Sequence, residues 1–152
     1  MRGVYSVQAS IATVTTAKTL IQIKAGTASA LEILRAWITN GTVTTDDNVE
    51  GIIVRKSAAA TVTSFTPLLF DPSDQAAKAV GGTAATGHTA TVEGTDTDVL
   101  VREAFSVLAG WTWLPTPEER MVVPQGGIIA LKSNIAITSA TLVCGMIFRE
   151  IG

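Results

Sequence analysis

Residues 30–40 read ALEILRAWITN, and a helix and a strand compete for them. A helix would put Leu31, Leu34 and Ile38 on one face at the 3.6-residue period. A strand would set Leu31, Ile33, Arg35, Trp37 and Thr39 against Ala30, Glu32, Leu34, Ala36 and Ile38. The neighbours decide for the strand. TLIQIK (19–24) precedes it, VEGIIVRK (49–56) follows it, and both are short runs rich in β-branched residues. Asn40-Gly41 supplies a turn between.

Working outward, the same reasoning predicts strands at Tyr5–Val14, Thr19–Lys24, Ala30–Thr39, Val49–Lys56, Thr61–Phe65, Thr89–Glu93 and Val99–Leu108. It continues with Trp111–Leu114, Met121–Val123, Ile128–Ser133 and Ala140–Arg149. Asp71-Pro72, Gly81-Gly82, Gly94, Gly110, Pro115, Pro117, Pro124 and Gly126-Gly127 separate them. Short strands with turns this frequent indicate an all-β sandwich or barrel with little helix. Helix is expected only as one turn in DPSDQAAKAV (71–80), where Pro72-Ser73-Asp74 start it and the glycines at 81 and 82 end it. The stretch from Ala76 to Gly87 reads as a long mobile loop.

The chain has 152 residues, which fits one domain burying roughly two thirds of its unfolded surface without staples. Charged residues make up only 16%, against roughly a quarter in an average soluble protein. Thr, Ala, Ser and Gly fill the deficit, giving a smooth surface suited to lateral protein contact rather than electrostatic steering. Net charge is −2 and the largest cationic cluster is the pair Arg55-Lys56, which excludes a nucleic-acid partner because phosphate neutralisation needs several aligned cations. No window approaches the roughly 20 apolar residues of a membrane helix. The alternating N-terminus lacks a signal-peptide core, so the expectation is a soluble product kept without export.

Catalysis requires a positioned acid, base or nucleophile. The one histidine, His88, reads as a solvated residue at the exit of the loop. Cys144, within ATLVCGMIF, reads as a small packed hydrophobe. One His and one Cys cannot build a His/Cys zinc site. The paired carboxylates in DPSD and TDTD match no calcium-loop spacing and read as turn formers. The expectation is a protein with no catalytic residues, no metal and no cofactor.

GWTWLP (110–115) sets Trp111 and Trp113 on one face of a strand. Two aligned indoles fit a core corner where the chain crosses between sheets, and also an aromatic platform for sugar rings. The corner is the preferred reading. The platform supports the alternative, a carbohydrate- or receptor-binding sandwich, which the resemblance described below would place on a phage tail or head fibre.

GIIVRKS, DVLVREAF and TLVCGMIF place apolar residues on both faces, which a strand half exposed to water would not do. The low charge favours cover by another chain, and hence a homo-oligomer. At this point the order of features resembles the capsid decoration, or cement, proteins encoded among the head genes of tailed bacteriophages. The resemblance runs from Thr19 to Glu150, through TLIQIKAGTASALEILRAWITN, EGIIVRKS, TPLLFDPSDQAA, TATVEGTDTDVLVREAFSV, GWTWLPTPEERMVVPQGGIIALKS and ATLVCGMIFREIG. The size suits such proteins from long-tailed phages of thermophilic bacteria, although so few charges depart from the ion-pair networks expected there. The resemblance implies a single-domain jelly-roll β-sandwich over residues 19–152. It also implies a homotrimer, made in the host cytoplasm and bound outside the major capsid protein lattice of the virion. Residues 1–18 lie outside it. They are expected to form an arm or edge strand whose Val4, Tyr5, Val7, Ile11 and Val14 contact a neighbouring subunit or the capsid. On that expectation, deleting the first sixteen residues leaves the sandwich folded.

Overall fold

A computed structural model describes residues 3–43 and 45–152. Twelve strands follow one another: β1 (Val4–Ile11), β2 (Lys18–Lys24), β3 (Ala30–Val43), β4 (Asn48–Ala58), β5 (Thr61–Ser64), β6 (Leu68–Leu69), β7 (Gly87–Val92), β8 (Thr95–Ser106), β9 (Trp111–Trp113), β10 (Val122–Val123), β11 (Ile128–Ser133) and β12 (Ala140–Ile151). They form two six-stranded antiparallel sheets. The first runs β10-β3-β12-β1-β6, with β9 also paired to β3; the second runs β5-β7-β2-β11-β4-β8. The chain is an all-β sandwich. Its only helical element among the described residues is the 3-10 turn Pro117–Glu119. The helical turn expected at 71–80 is instead a β-turn, in which Asp74 N–H donates to Asp71 O while Asp71 Oδ1 accepts from the Ser73 N–H and hydroxyl.

Residues 30–40 are strand, but not with the expected alternation. Leu31 and Ile33 face the core, and so do Ala36 and Ile38. The register against β12 slips at Leu34: Arg35 opposes Ile147 while Ile33 opposes Phe148. One extra residue inverts the side-chain parity beyond it. Arg35 and Trp37 therefore project from the outer face. A second slip leaves Gly41 as the extra residue between Asn40 and Thr42, so the expected turn at Asn40-Gly41 is a bulge within one fourteen-residue strand.

The core lies between the sheets. Tyr5, Val7, Ile11, Leu31, Ile33, Ile38, Leu142, Met146 and Phe148 from the first sheet meet Ile21, Ile23, Ile53, Ile129 and Leu131 from the second. The Tyr5 and Phe148 rings stack at 5.5 Å. This corrects the expectation for the N-terminus. β1 pairs with β12 along its whole length, from Val4↔Arg149 to Ile11↔Leu142. Tyr5, Val7, Ile11 and Val14 are core residues, and Val4, on the other side of β1, is only 4% exposed. Tyr5, Val7, Ile11 and Val14 thus point into this chain's own sandwich, and only Val4 lies on the outer side. β1 is a sheet edge only beyond Ser6, where its short partner β6 ends. The total accessible surface is 7026 Å², close to the roughly 7,300 Å² of a compact monomer of this mass.

The second sheet also covers part of its own outer face. Ile52, Val54 and Ala130 form a small buried cluster apart from the main core. The apolar doubling of GIIVRKS is thus hidden within the chain, which corrects the expectation that another copy must cover it. β7 bends away at the opposite edge of this sheet. It bonds β2 only at Gly87 and His88, and Thr89 then turns at φ +53, rare for a β-branched residue. Beyond that corner the strand follows β5 to Val92, and Glu93 reaches Thr19 and Lys132 on the outer side of the sheet. Beneath, Gln22 is fully buried. Its Nε2 donates to Ala85 O at 2.6 Å and to Ala60 O, and its Oε1 accepts from the Ala60 N–H at 2.9 Å. Gln22→Ala strands these backbone groups and is expected to cost about 1–3 kcal/mol, read as a lower urea midpoint at unchanged slope.

Candidate functional site

Three places on the molecule bring chemistry together. The first is a cluster of charges under the β7–β8 turn. β4 supplies Lys56 and β11 supplies Lys132, both pointing outward from the second sheet. Asp96, at the start of β8, lies 2.7 Å from Lys56 Nζ and 2.6 Å from Lys132 Nζ. Glu93 lies 3.3 and 3.4 Å from the same two ammoniums and accepts from the Thr19 N–H and hydroxyl. Burial opposes ionisation of both carboxyls, but the Thr19 bonds for Glu93 and the lysines for Asp96 outweigh it, so both are held below their ordinary values. Two cations and two anions satisfy one another. The arrangement is a clasp holding the turn against the sheet, with no unmatched group poised for proton transfer. The turn reading of TDTD missed it, because nothing local in TDTD or in Glu93 points to lysines some 40 residues away in sequence.

Beside the clasp lies a cleft of about 340 Å³ lined by Thr15, Thr16, Lys18, Thr89, Thr91 and Glu93. It has no aromatic wall. His88 is not a loop residue as expected. It sits half-buried in β7, edge-on to Phe65 at 6.0 Å, with Nδ1 3.0 Å from Thr89 Oγ1, and burial lowers its pKa. Cys144 lies in the core, and burial pushes its thiol up to about 12. It is expected not to react with a thiol-specific disulfide reagent at neutral pH until the chain unfolds, whereas reaction at the rate of a free thiol in the folded protein would contradict this burial. Among the described residues, no three His, Cys, Asp or Glu side chains converge to hold a metal.

The proposed aromatic platform is absent from the surface. Trp111 is 7% exposed, stacks on Phe105 at 6.0 Å, covers Gly51, and donates its indole N–H to Glu103 at 2.9 Å. Trp113 packs half-buried against the same core. They form the corner that joins the sheets.

The third place is the outer face of the first sheet. Register and alternation set four rows across it. Val4, Arg149, Glu32 and Val122 form one, with Phe70 beside Val4 through its N–H to Val4 O. Leu68, Ser6, Ile147 and Arg35 form the next; Gln8, Gly145, Trp37 and Thr112 the third; Ser10, Val143 and Thr39 the last. Trp37 lies over Gly145, where any Cβ would strike the indole, and the Arg35 guanidinium sits 5.1 Å from the Trp37 ring centroid. Leu68, Phe70 and Val122 are each about half exposed. Glu32 is shared by Arg149 and by Arg120 at 3.9 Å, while Arg35 makes no ion pair among the described residues. Sequence reasoning missed this face because the Leu34 bulge and the two-residue β6 carry no signal in residue type. No protein-family model, no curated protein and no solved structure matches the chain.

Proposed function

We propose that the chain is a non-enzymatic structural protein of a phage virion, which assembles with identical copies and binds the outside of the capsid to stabilise the major capsid protein lattice. What carries this reading is the outer face of the first sheet. It gathers the exposed Leu68, Phe70 and Val122 with the half-buried Ile147 and Trp37 on one face, and apolar patches of that kind mark contact with protein. The strand order supports the jelly-roll reading. With the β5–β7 insertion and the short β10 set aside, eight strands remain. Numbered along the chain, they pair 1-8-3-6 in one sheet and 2-7-4-5 in the other, the nested order of two Greek keys.

The mechanism is multivalent. Once one subunit of an oligomer touches the shell, the others bind at high effective concentration, and weak contacts sum to a durable hold. Binding only the assembled shell stabilises it by mass action. The test is sedimentation of the full chain with shells assembled from the major capsid protein of a phage whose genome carries this sequence. Saturable co-sedimentation, with shells that rupture at a higher temperature when coated, is the expected result. A chain that stays in the supernatant at a hundred micromolar overturns the proposal.

A further inference from the structure

We propose that the outer face of the first sheet is the seat of a second copy of this chain, and that the copy docks on it with the open β8 edge of its second sheet. This rests on the oligomer reading above and names the surfaces that make it. The three long strands β1, β12 and β3, with the short β6, β9 and β10 beside them, spaced about 4.8 Å apart at about 3.4 Å per residue, give a face of roughly 670 Å². That falls within the roughly 600–1,000 Å² each partner contributes to a stable interface. Its middle is apolar and small-polar, with Trp37 held flat and Arg35 laid over it. Tryptophan and arginine are the residue types that most often dominate binding energy at the centre of an interface.

Charge selects the occupant. Within the four rows, Arg35 and Arg149 against Glu32 leave one net positive charge, although the whole chain carries −2. Two identical positive faces laid together would repel, so the partner surface is a different one, acidic and partly apolar. The chain carries such a surface on β8. This twelve-residue strand ends the second sheet, with no partner strand beyond it among the described residues. It exposes Asp98 and Val99, with Asp46, Asp47 and Leu108 around its far end, while Arg102 in its middle is matched by Glu50 on β4. A contact between two unlike surfaces repeats from copy to copy and closes into a ring when the rotation allows, as three copies do about a threefold axis.

The experiment uses two variants of the full chain. Leu68→Glu/Phe70→Glu spoils the face, and Asp98→Lys/Val99→Lys spoils the edge; all four positions are exposed. Circular dichroism establishes that each variant is folded, and analytical ultracentrifugation measures mass. The wild type is expected as an oligomer. Each variant alone is expected as a monomer, its dissociation constant raised at least about thirtyfold. Mixed one to one, the variants regain one intact contact, face from one and edge from the other, and are expected to form a heterodimer. A wild type that is monomeric throughout overturns the oligomer reading itself. An oligomer indifferent to Leu68→Glu/Phe70→Glu overturns the face alone, and variants that stay monomeric when mixed overturn the β8 edge as occupant. Thr63→Glu, at an exposed position on β5, the edge of the second sheet opposite β8, leaves the mass unchanged.

Discussion

Deleting the chain up to Ile11 should abolish the folded sandwich, with loss of the cooperative thermal transition and of the near-ultraviolet tryptophan signal. The segment contributes β1, hydrogen-bonded to β12 along all eight residues. Tyr5, Val7 and Ile11 leave the core with it. Burying an apolar side chain of this size is worth about 1.5–3 kcal/mol, so three sum to roughly 5–9 kcal/mol before any hydrogen bond is counted. Domains have net stabilities of only about 5–15 kcal/mol. The truncated chain would also expose the free flank of β12, an invitation to aggregate. A truncated protein that melts cooperatively near the full-length temperature would show that β1 is dispensable.

The second large effect is expected from Lys56→Met. Its ammonium is fully buried between Glu93 and Asp96, which are about a third exposed. Removing one partner of a buried ion pair costs about 3–5 kcal/mol, because the remaining charges lose their compensation. Solvent screening of the exposed carboxylates brings the expectation to about 2–3 kcal/mol. In a chain of this size that is a fall in Tm of roughly 5–10 °C at pH 7. The pH dependence has a definite sign. Glu93 and Asp96 are held below their ordinary pKa values in the folded state, so their contribution is complete above the unfolded values and is lost as pH falls through the folded ones. The wild type should therefore lose stability below about pH 4, and Lys56→Met should show a shallower loss over the same range. Calorimetry from pH 2 to 7 reads both. Equal acid slopes in the two proteins would place the titrating groups elsewhere.

The strands were legible in the sequence because each signal is local. TLIQIK, VEGIIVRK and IIALKS carry β-branched apolar runs between breakers, and all three are strands of the second sheet. The core position of Cys144 followed in the same way from its apolar neighbours, and the corner at Trp111 from the prolines beyond it. What stayed hidden depends on register or on distant pairing. The bulge at Leu34 moved Trp37 outward, although its residue type fits either phase. β6 is two residues long and exists only because Tyr5 and Ser6 accept it as a partner. The Lys56–Asp96 contact joins residues 40 positions apart, and Glu93 meets Thr19 across 74. The N-terminal strand was seen, but its place was not. Alternation in VYSVQASI says which side is apolar, not whether the apolar side is closed by this chain or by another.

One inserted position in β3 decides what the outside world meets. Without the bulge, a strict two-residue rhythm running through Leu34 would turn Trp37 and Arg35 toward the interior and send Ala36 and Ile38 to the surface. A bulky indole and a charge would then have to fit where a methyl and a branched aliphatic now sit. The kink thus acts as a phase switch in the middle of a long ribbon. It lets one strand contribute grease to the inside at both ends while delivering an aromatic–cation pair to the opposite side.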